Sequence, residues 1–213
     1  MKPSERDLEV VREQLGRTPR DVHGVAHRCP CGEVSVVETP PRLGDGTPFP
    51  TFYYATCPRL TGAISTLETT GMMGEMSARL ENDAELNGAY KAAHLDYIAA
   101  RSALGMDVPE VENISAGGMP DRVKCLHSLV AHSLGAGPGV NPLGDEALAA
   151  LPQWWLALLL DGDHNRQLAL LIHCQSDNHH KLLMNALSHT ESPLSQHHLV
   201  RGTLGLPELS SKE

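Results

Sequence analysis

The chain has 213 residues, a formal net charge of −9, and 41% hydrophobic against 20% charged residues. That length suits one ordinary domain with an appendage, and the apolar share is enough to bury a core, which excludes wholesale disorder. Aromatic residues at 4% offer no stacking surface for single-stranded nucleic acid, the acidic balance gives no attraction to a phosphate backbone, and the longest apolar run, Trp154 to Leu160, is too short for a membrane span.

The opening MKPSERDLEV carries acids where a secretory signal needs an apolar core, so a soluble, cytoplasmic protein is expected. Residues 4–16 read as a helix: Ser4 caps it, Asp7 lies three residues on, Leu8, Val11 and Leu15 recur at helical spacing, and Gly16 stops it. From Asp21 to Cys57 the pattern changes to short β-favouring runs at Val22 and Val25, at Val34, Val36 and Val37, and at Phe52, Tyr53 and Tyr54. The turn Cys29-Pro30-Cys31-Gly32 separates the first two runs, and the loop PPRLGDGTPFP the next two. The expectation is an antiparallel meander of about three strands.

Pro58 then opens a helix with Leu60, Ile64 and Leu67 on one face, ended by Gly71. Helices are predicted over 72–80 and 84–104, the second capped by Asp83 with Leu86, Tyr90, Ala93 and Tyr97 as its buried stripe. Residues 105–119 read as a linker or exposed loop, Pro120 as the start of a helix through Leu134, and Asn141-Pro142 as the start of a last helix through Leu151. The fold class is therefore α+β: a small N-terminal antiparallel sheet packed on a mainly helical remainder over residues 1–156. Residues 157–213, which hold seven of the twelve histidines, read as a variable extension with short helices at 166–174 and 180–187, partly helical or disordered.

Five cysteines, an odd number in an expected reducing compartment, do not make a disulfide framework. Cys29 and Cys31 flank a proline in a turn, where free backbone N–H groups favour thiolates. Cys57 precedes the Pro58 helix, whose N-terminus lowers a thiol pKa. If Pro120 opens a helix, Cys125 lies within it, sharing a face with Asp121 and His132 while His127 points elsewhere. Cys174 falls in the variable tail. Four readings stay open: an iron–sulfur cluster on Cys29, Cys31, Cys57 and Cys125 with redox or sulfur-handling activity; a structural Zn²⁺ on the same thiolates, with His27, His127 or His132 as a substitute, in a non-enzymatic module that binds a protein partner; a metal-free enzyme with Cys57 as a low-pKa nucleophile and a nearby histidine as base; or cysteines that serve as small buried hydrophobes or unrelated reactive thiols.

The blocks LGRTPRDVHGVAHRCPCGEVSVVETPPRLGDGTPFPTFYYATCPRL, SAGGMPDRVKCLHSLVAH and NPLGDEALAALPQWW resemble the DUF501 family of bacterial, mainly actinobacterial, proteins, over about residues 8–156. The resemblance places Cys29, Cys31, Cys57, Cys125, His127 and His132 where the family's cysteines and histidines fall. It implies no reaction. Members are often encoded beside a septum-formation initiator and an exopolyphosphatase-type phosphatase, which favours a housekeeping or envelope-related role and a protein partner of that kind.

Among other groups, Arg42 and Asp45 sit in a Gly- and Pro-rich loop able to cradle an anion, Arg59 follows Cys57, and Asp121, Arg122 and Lys124 make a charged helix start. Together they form a candidate anion or substrate set around the cysteine pocket. Asp145 and Glu146, by contrast, sit where a helix start favours acids on electrostatic grounds alone.

Overall fold

The computed structural model describes residues 1–155; the expected extension and its short helices, with Cys174, lie outside the described residues. The architecture is α+β. Helix α1 (Glu5–Leu15) starts with a capping box: Ser4 Oγ accepts from Asp7 N–H, and Asp7 Oδ2 accepts from Ser4 N–H at 2.9 Å. Gly16, at φ 63°, stops it in the left-handed conformation. Asp7 is also held by two hydrogen bonds from Arg28, at 2.7 and 3.0 Å, which join α1 to the sheet and keep the Asp7 carboxyl well below the usual carboxylate range.

Strands β1 (Gly24–Arg28), β2 (Val34–Glu38) and β3 (Tyr53–Ala55) form an antiparallel meander in the order β1-β2-β3, with Val25 opposite Val37 and Val36 opposite Ala55. A register irregularity at His27 bends β1 before the Cys29–Gly32 turn. Val25, Val34 and Val37 pack with Val11 of α1, whereas Val36, Tyr53 and Ala55 belong to the main core.

Helices α2 (Pro58–Glu68), α3 (Met72–Asn82), α4 (Ala84–Ser102), α5 (Leu126–Ala136) and α6 (Pro142–Ala150) pack on that inner face. The Asp83 and Asn141 caps form as expected, and Tyr90, Ala93 and Tyr97 are buried in the α4 stripe. The central element is α5, in which Leu126, Leu129, Val130, Ala131 and His132 are all fully buried. Two glycines permit its close approaches. A Cβ at Gly144 would run into Leu129 O and Ser133 Oγ where α6 crosses α5, and one at Gly135 would strike the Tyr53 ring. Tyr97 anchors β3 from the other side, its hydroxyl oxygen accepting from Phe52 N–H at 2.6 Å and Tyr53 N–H at 3.3 Å.

One expectation is refined and one corrected. Residues 105–119 form a largely exposed loop, as expected, but one pinned to the core. Val108, Val111, Ser115 and Met119 are buried, a 3-10 turn spans Pro109–Val111, and the buried Arg101 guanidinium donates to the carbonyls of Pro50 (2.9 Å), Ile114 (2.5 Å) and Val111. Pro120 does not open a helix. Gly117 and Gly118, at φ 70° and 95°, turn the chain back so that Arg122 N–H and Lys124 N–H donate to the carbonyls of Gly118 and Gly117. Val123 N–H goes to Ser77 Oγ and Arg122 O accepts from the Tyr90 hydroxyl. With these groups committed to tertiary bonds after a cis Met119–Pro120 peptide, helix begins only at Leu126.

Gly144→Ala forces α6 off α5, and overpacking of this kind costs about 1–3 kcal/mol; the expected outcome is a lower urea midpoint with an unchanged slope. Asp7 gives a pH signature. Its folded-state pKa is depressed, so its contribution is complete above the unfolded value near 3.9 and lost as pH falls below it. Asp7→Asn should therefore lower the unfolding midpoint at pH 7, and the gap to wild type should narrow as unfolding is followed down through pH 4 to 3.

Candidate functional site

The correction at Pro120 re-aims Cys125. It occupies the N-cap of α5 in extended conformation (φ −155°), so His127 stands at the second helical position, beside it. The C-terminal end of α2 faces this helix start. Glu68 Oε1 accepts from Leu126 N–H at 2.7 Å and lies 3.2 Å from His127 Nδ1. His127 Nε2 lies 3.2 Å from the Thr61 carbonyl oxygen and 3.4 Å from Ser65 Oγ. The ligand-type atoms of Glu68, Cys125 and His127 lie within 4.8 Å of one another, and this is the one set of three or more His, Cys, Asp or Glu groups so arranged among the described residues.

Both imidazole nitrogens of His127 face acceptors, the Glu68 carboxylate and the Thr61 carbonyl, an arrangement that calls for two N–H donors and hence the cation. The contact with Cys125 raises the His127 pKa most, and with Glu68 it outweighs burial and pushes the value up to about 9. For Cys125, burial alone pushes the thiol up. The His127 contact, together with the N–H and hydroxyl of Ser128, outweighs burial and the repulsion from Glu68, and the thiol falls below its ordinary value. The result is a sulfur–imidazole pair in which each group favours the other's charged form, with a carboxylate behind the imidazole. Cys125, His127 and Ser128 line a cleft of about 550 Å³ between α2, β3 and α5, whose other walls include Gln14, Tyr54, Thr56, Thr61 and Ser65.

The other described cysteines belong to the main core. Cys29 and Cys57 are buried in the main core, with Cys31 half-buried against it, near the end of the sheet where the β1–β2 turn and the exit of β3 lie. Four thiolates on a single zinc would lie about 3.8 Å apart, from Zn–S distances near 2.3 Å in tetrahedral geometry, and these three do not join Cys125 in any set within 4.8 Å. Cys57 does cap α2, as its Cys-Pro junction implies, but it is fully buried, so no substrate reaches its sulfur.

His132 does not share a site with Cys125. It is fully buried with Nε2 2.9 Å from Asp96 Oδ1 and Nδ1 3.2 Å from Asn141 Nδ2, and it stacks on Tyr53. His27 pairs with Ser35 Oγ at 2.6 Å. The expected anion set is not assembled either. Arg42 is engaged by Glu110 and the Gly46 carbonyl; Asp45 accepts from Thr47 N–H within its own loop; Arg59 Nε is buried without a hydrogen bond. Asp121, Arg122 and Lys124 are exposed, and none of the six lines the cleft. Glu68 is the site residue the sequence reading missed. Its segment STLETTG reads as an ordinary helix end, and nothing local marks a partner 57 positions further on.

The family model described as "Protein of unknown function (DUF501)" matches residues 25–149 of the chain, which takes in Cys125, His127 and Glu68. No curated protein and no solved structure matches the chain.

The electrostatics fix a pH profile. The midpoint for alkylation of Cys125 by iodoacetamide, followed by peptide mass spectrometry, should lie at lower pH than that of an ordinary thiol. His127→Gln should return the midpoint to the ordinary range and slow labelling at pH 6 by about tenfold or more. An unshifted midpoint in the variant would contradict the ion pair.

Proposed function

The chain belongs to the DUF501 family, and we propose that its α5 cleft is the active site of a thiol enzyme acting on an acyl group, with Cys125 as nucleophile, His127 as proton donor and acceptor, and Glu68 as the residue that positions His127. The observation that carries this reading is His127 held between a sulfur and a carboxylate on the wall of a cleft. Nucleophile, base and orienting acid in that order are what covalent catalysis by a thiolate requires. This relocates the metal-free thiol chemistry expected of Cys57 to a cysteine on the cleft surface.

The step balances with the groups present. The Cys125 thiolate attacks the carbonyl carbon, an S–C bond forms, and the π electron pair moves to oxygen. As the carbonyl re-forms, the leaving group departs with the proton from His127, and a thioester remains. Water or another acceptor, deprotonated by the now neutral His127, attacks the thioester and expels the thiolate. Glu68 keeps Nδ1–H directed away from the cleft and favours the imidazolium throughout.

A second reading rests on one distance. The 3.2 Å between His127 Nδ1 and Glu68 Oε1 is close to the roughly 3.3 Å separating two ligands on one tetrahedral zinc. The Thr61 carbonyl would then accept from Nε2–H and fix the ring. With Cys125 as third ligand, a fourth position would remain for water or substrate. One thiolate among three ligands suits zinc better than an iron–sulfur cluster.

The test is p-nitrophenyl acetate added to the purified protein, with metal analysis of the same sample. The expected result is a burst of one equivalent, an acetyl mass on the Cys125 peptide, and loss of both in Cys125→Ala and His127→Gln. Stoichiometric zinc in the wild type that disappears from both variants, with no acetylated peptide, would overturn the thiol reading in favour of the metal centre.

A further inference from the structure

We infer that the α5 cleft takes its acyl group as an extended peptide, added as a further strand along the open edge of β3, so that the bond offered to Cys125 is a peptide amide. The inference rests on the thiol reading above and deepens it by naming the substrate class.

In the order β1-β2-β3, strand β3 is paired on one side. The phase of its ladder tells which backbone groups are left over. Thr39 N–H donates to the Phe52 carbonyl at 2.8 Å and Thr56 N–H to the Ser35 carbonyl at 2.9 Å, with Tyr54 opposite Val37 between them. The residues whose ladder bonds face β2 are therefore 52, 54 and 56, and antiparallel alternation turns the backbone groups of Tyr53 and Ala55 the other way. Tyr53 N–H donates to the Tyr97 hydroxyl at 3.3 Å. The Tyr53 carbonyl and the N–H and carbonyl of Ala55 make no hydrogen bond to a loop, helix or side chain among the described residues. Ala55 is half-buried rather than enclosed, and it lines the cleft.

The cleft runs along that edge. Its lining takes four consecutive residues, 53–56, together with Gln14 and Leu15 of α1 and with Thr61, Cys125 and Ser128 of α2 and α5. Leu15 packs with the valines on the α1 side of the sheet, whereas α2 and α5 pack on the inner face. A space touched from both faces and by successive residues of the last strand lies beyond the edge of that strand. With helices on both sides, about 550 Å³ of cleft suits a single extended segment rather than the sheet of another domain. The course of α5 sets where such a segment leads. Tyr53 stacks on His132 and lies against Gly135 in the C-terminal half of the helix, while Cys125 and Ser128 line the cleft at its N-terminal end. A strand laid on β3 is thereby led along α5 toward Cys125, and main-chain hydrogen bonds hold it whatever its side chains. As the S–C bond forms the amide C–N bond breaks, and the amine leaves with the proton from His127.

The probes are the p-nitrophenyl esters of N-acetylalanine and of N-acetyl-tetraalanine, the second also in forms N-methylated at one residue at a time. Second-order rates of acylation of Cys125 in the wild-type protein are divided by the rate of the same ester with free cysteine. The expected result is a gain of about tenfold or more for the tetrapeptide, the worth of two or three net backbone hydrogen bonds at most. N-methylation should remove most of that gain at alternate residues and spare it at those between, because a strand turns every second N–H toward its partner. Ala55→Pro removes an N–H that the ladder does not use, a change an edge strand tolerates, and should slow the tetrapeptide about fivefold. The methylation series on the wild type decides the matter whether or not that variant folds. A tetrapeptide no faster than the single residue, or losses that do not alternate, overturns the strand proposal and leaves the thiol enzyme standing. Failure of every ester, p-nitrophenyl acetate included, to acylate Cys125 defeats the thiol reading itself, so the two failures are separable.

Discussion

One carboxylate oxygen, Glu68 Oε1, closes two accounts of unsatisfied hydrogen bonding at once. A helix N-terminus presents N–H groups with no partner inside the helix, and a side chain at the N-cap usually meets that need. At α5 the N-cap is Cys125, and the first N–H of the helix, that of Leu126, is met by Glu68 from α2. The same oxygen faces His127 Nδ1. The cap of one helix and the orientation of the imidazole are therefore a single interaction. Glu68 cannot swing away from His127 without also uncapping α5, which keeps the ring aligned with the thiolate before any ligand arrives.

Rigidity behind that contact comes from the burial of α5. Its inner face is closed by β3, its back by α6, and the approaches are so close that glycine is required at positions 135 and 144. The buried histidine in its middle is part of this scaffold. His132 is clasped by Asp96 of α4 and Asn141 at the α6 cap, and it stacks on Tyr53. A chemically active residue type in the core thus proves to be a strut. The exposed end of the same helix carries the chemistry, where burial is incomplete and sulfur and imidazole still reach the cleft.

Much of the fold was legible because it is locally encoded. The Ser4–Asp7 capping box, the Asp83 cap and the Asn141-Pro142 start each announce a helix within a few residues. The valine-rich runs and the Cys29–Gly32 turn mark the meander equally well. The site was less legible because its decisive features are not local. The stretch from Pro120 to Cys125 has helical spacing, yet Ser77, Tyr90, Gly117 and Gly118 take its backbone groups. Helical phase extrapolated through it put Cys125 with His132 rather than His127. Of the expected ligands, Cys125 and His127 come together and Cys29, Cys31 and Cys57 do not join them, while Glu68 enters through a contact that only the packing of α2 on α5 creates.

Arg101 gives the stretch between α4 and α5 an unusual mechanical character. Its guanidinium clasps the carbonyls of Pro50, Val111 and Ile114 from within the interior, while Gly105, Met106 and Asp107 stand on the surface. A protease nick at those surface residues would sever the backbone without releasing either half, because the clasp and the core on both sides of the cut remain in place. The two pieces should migrate together through a gel-filtration column and separate only in denaturant. The domain would then be a noncovalent pair of fragments split between the Glu68 side and the Cys125 side of its own cleft.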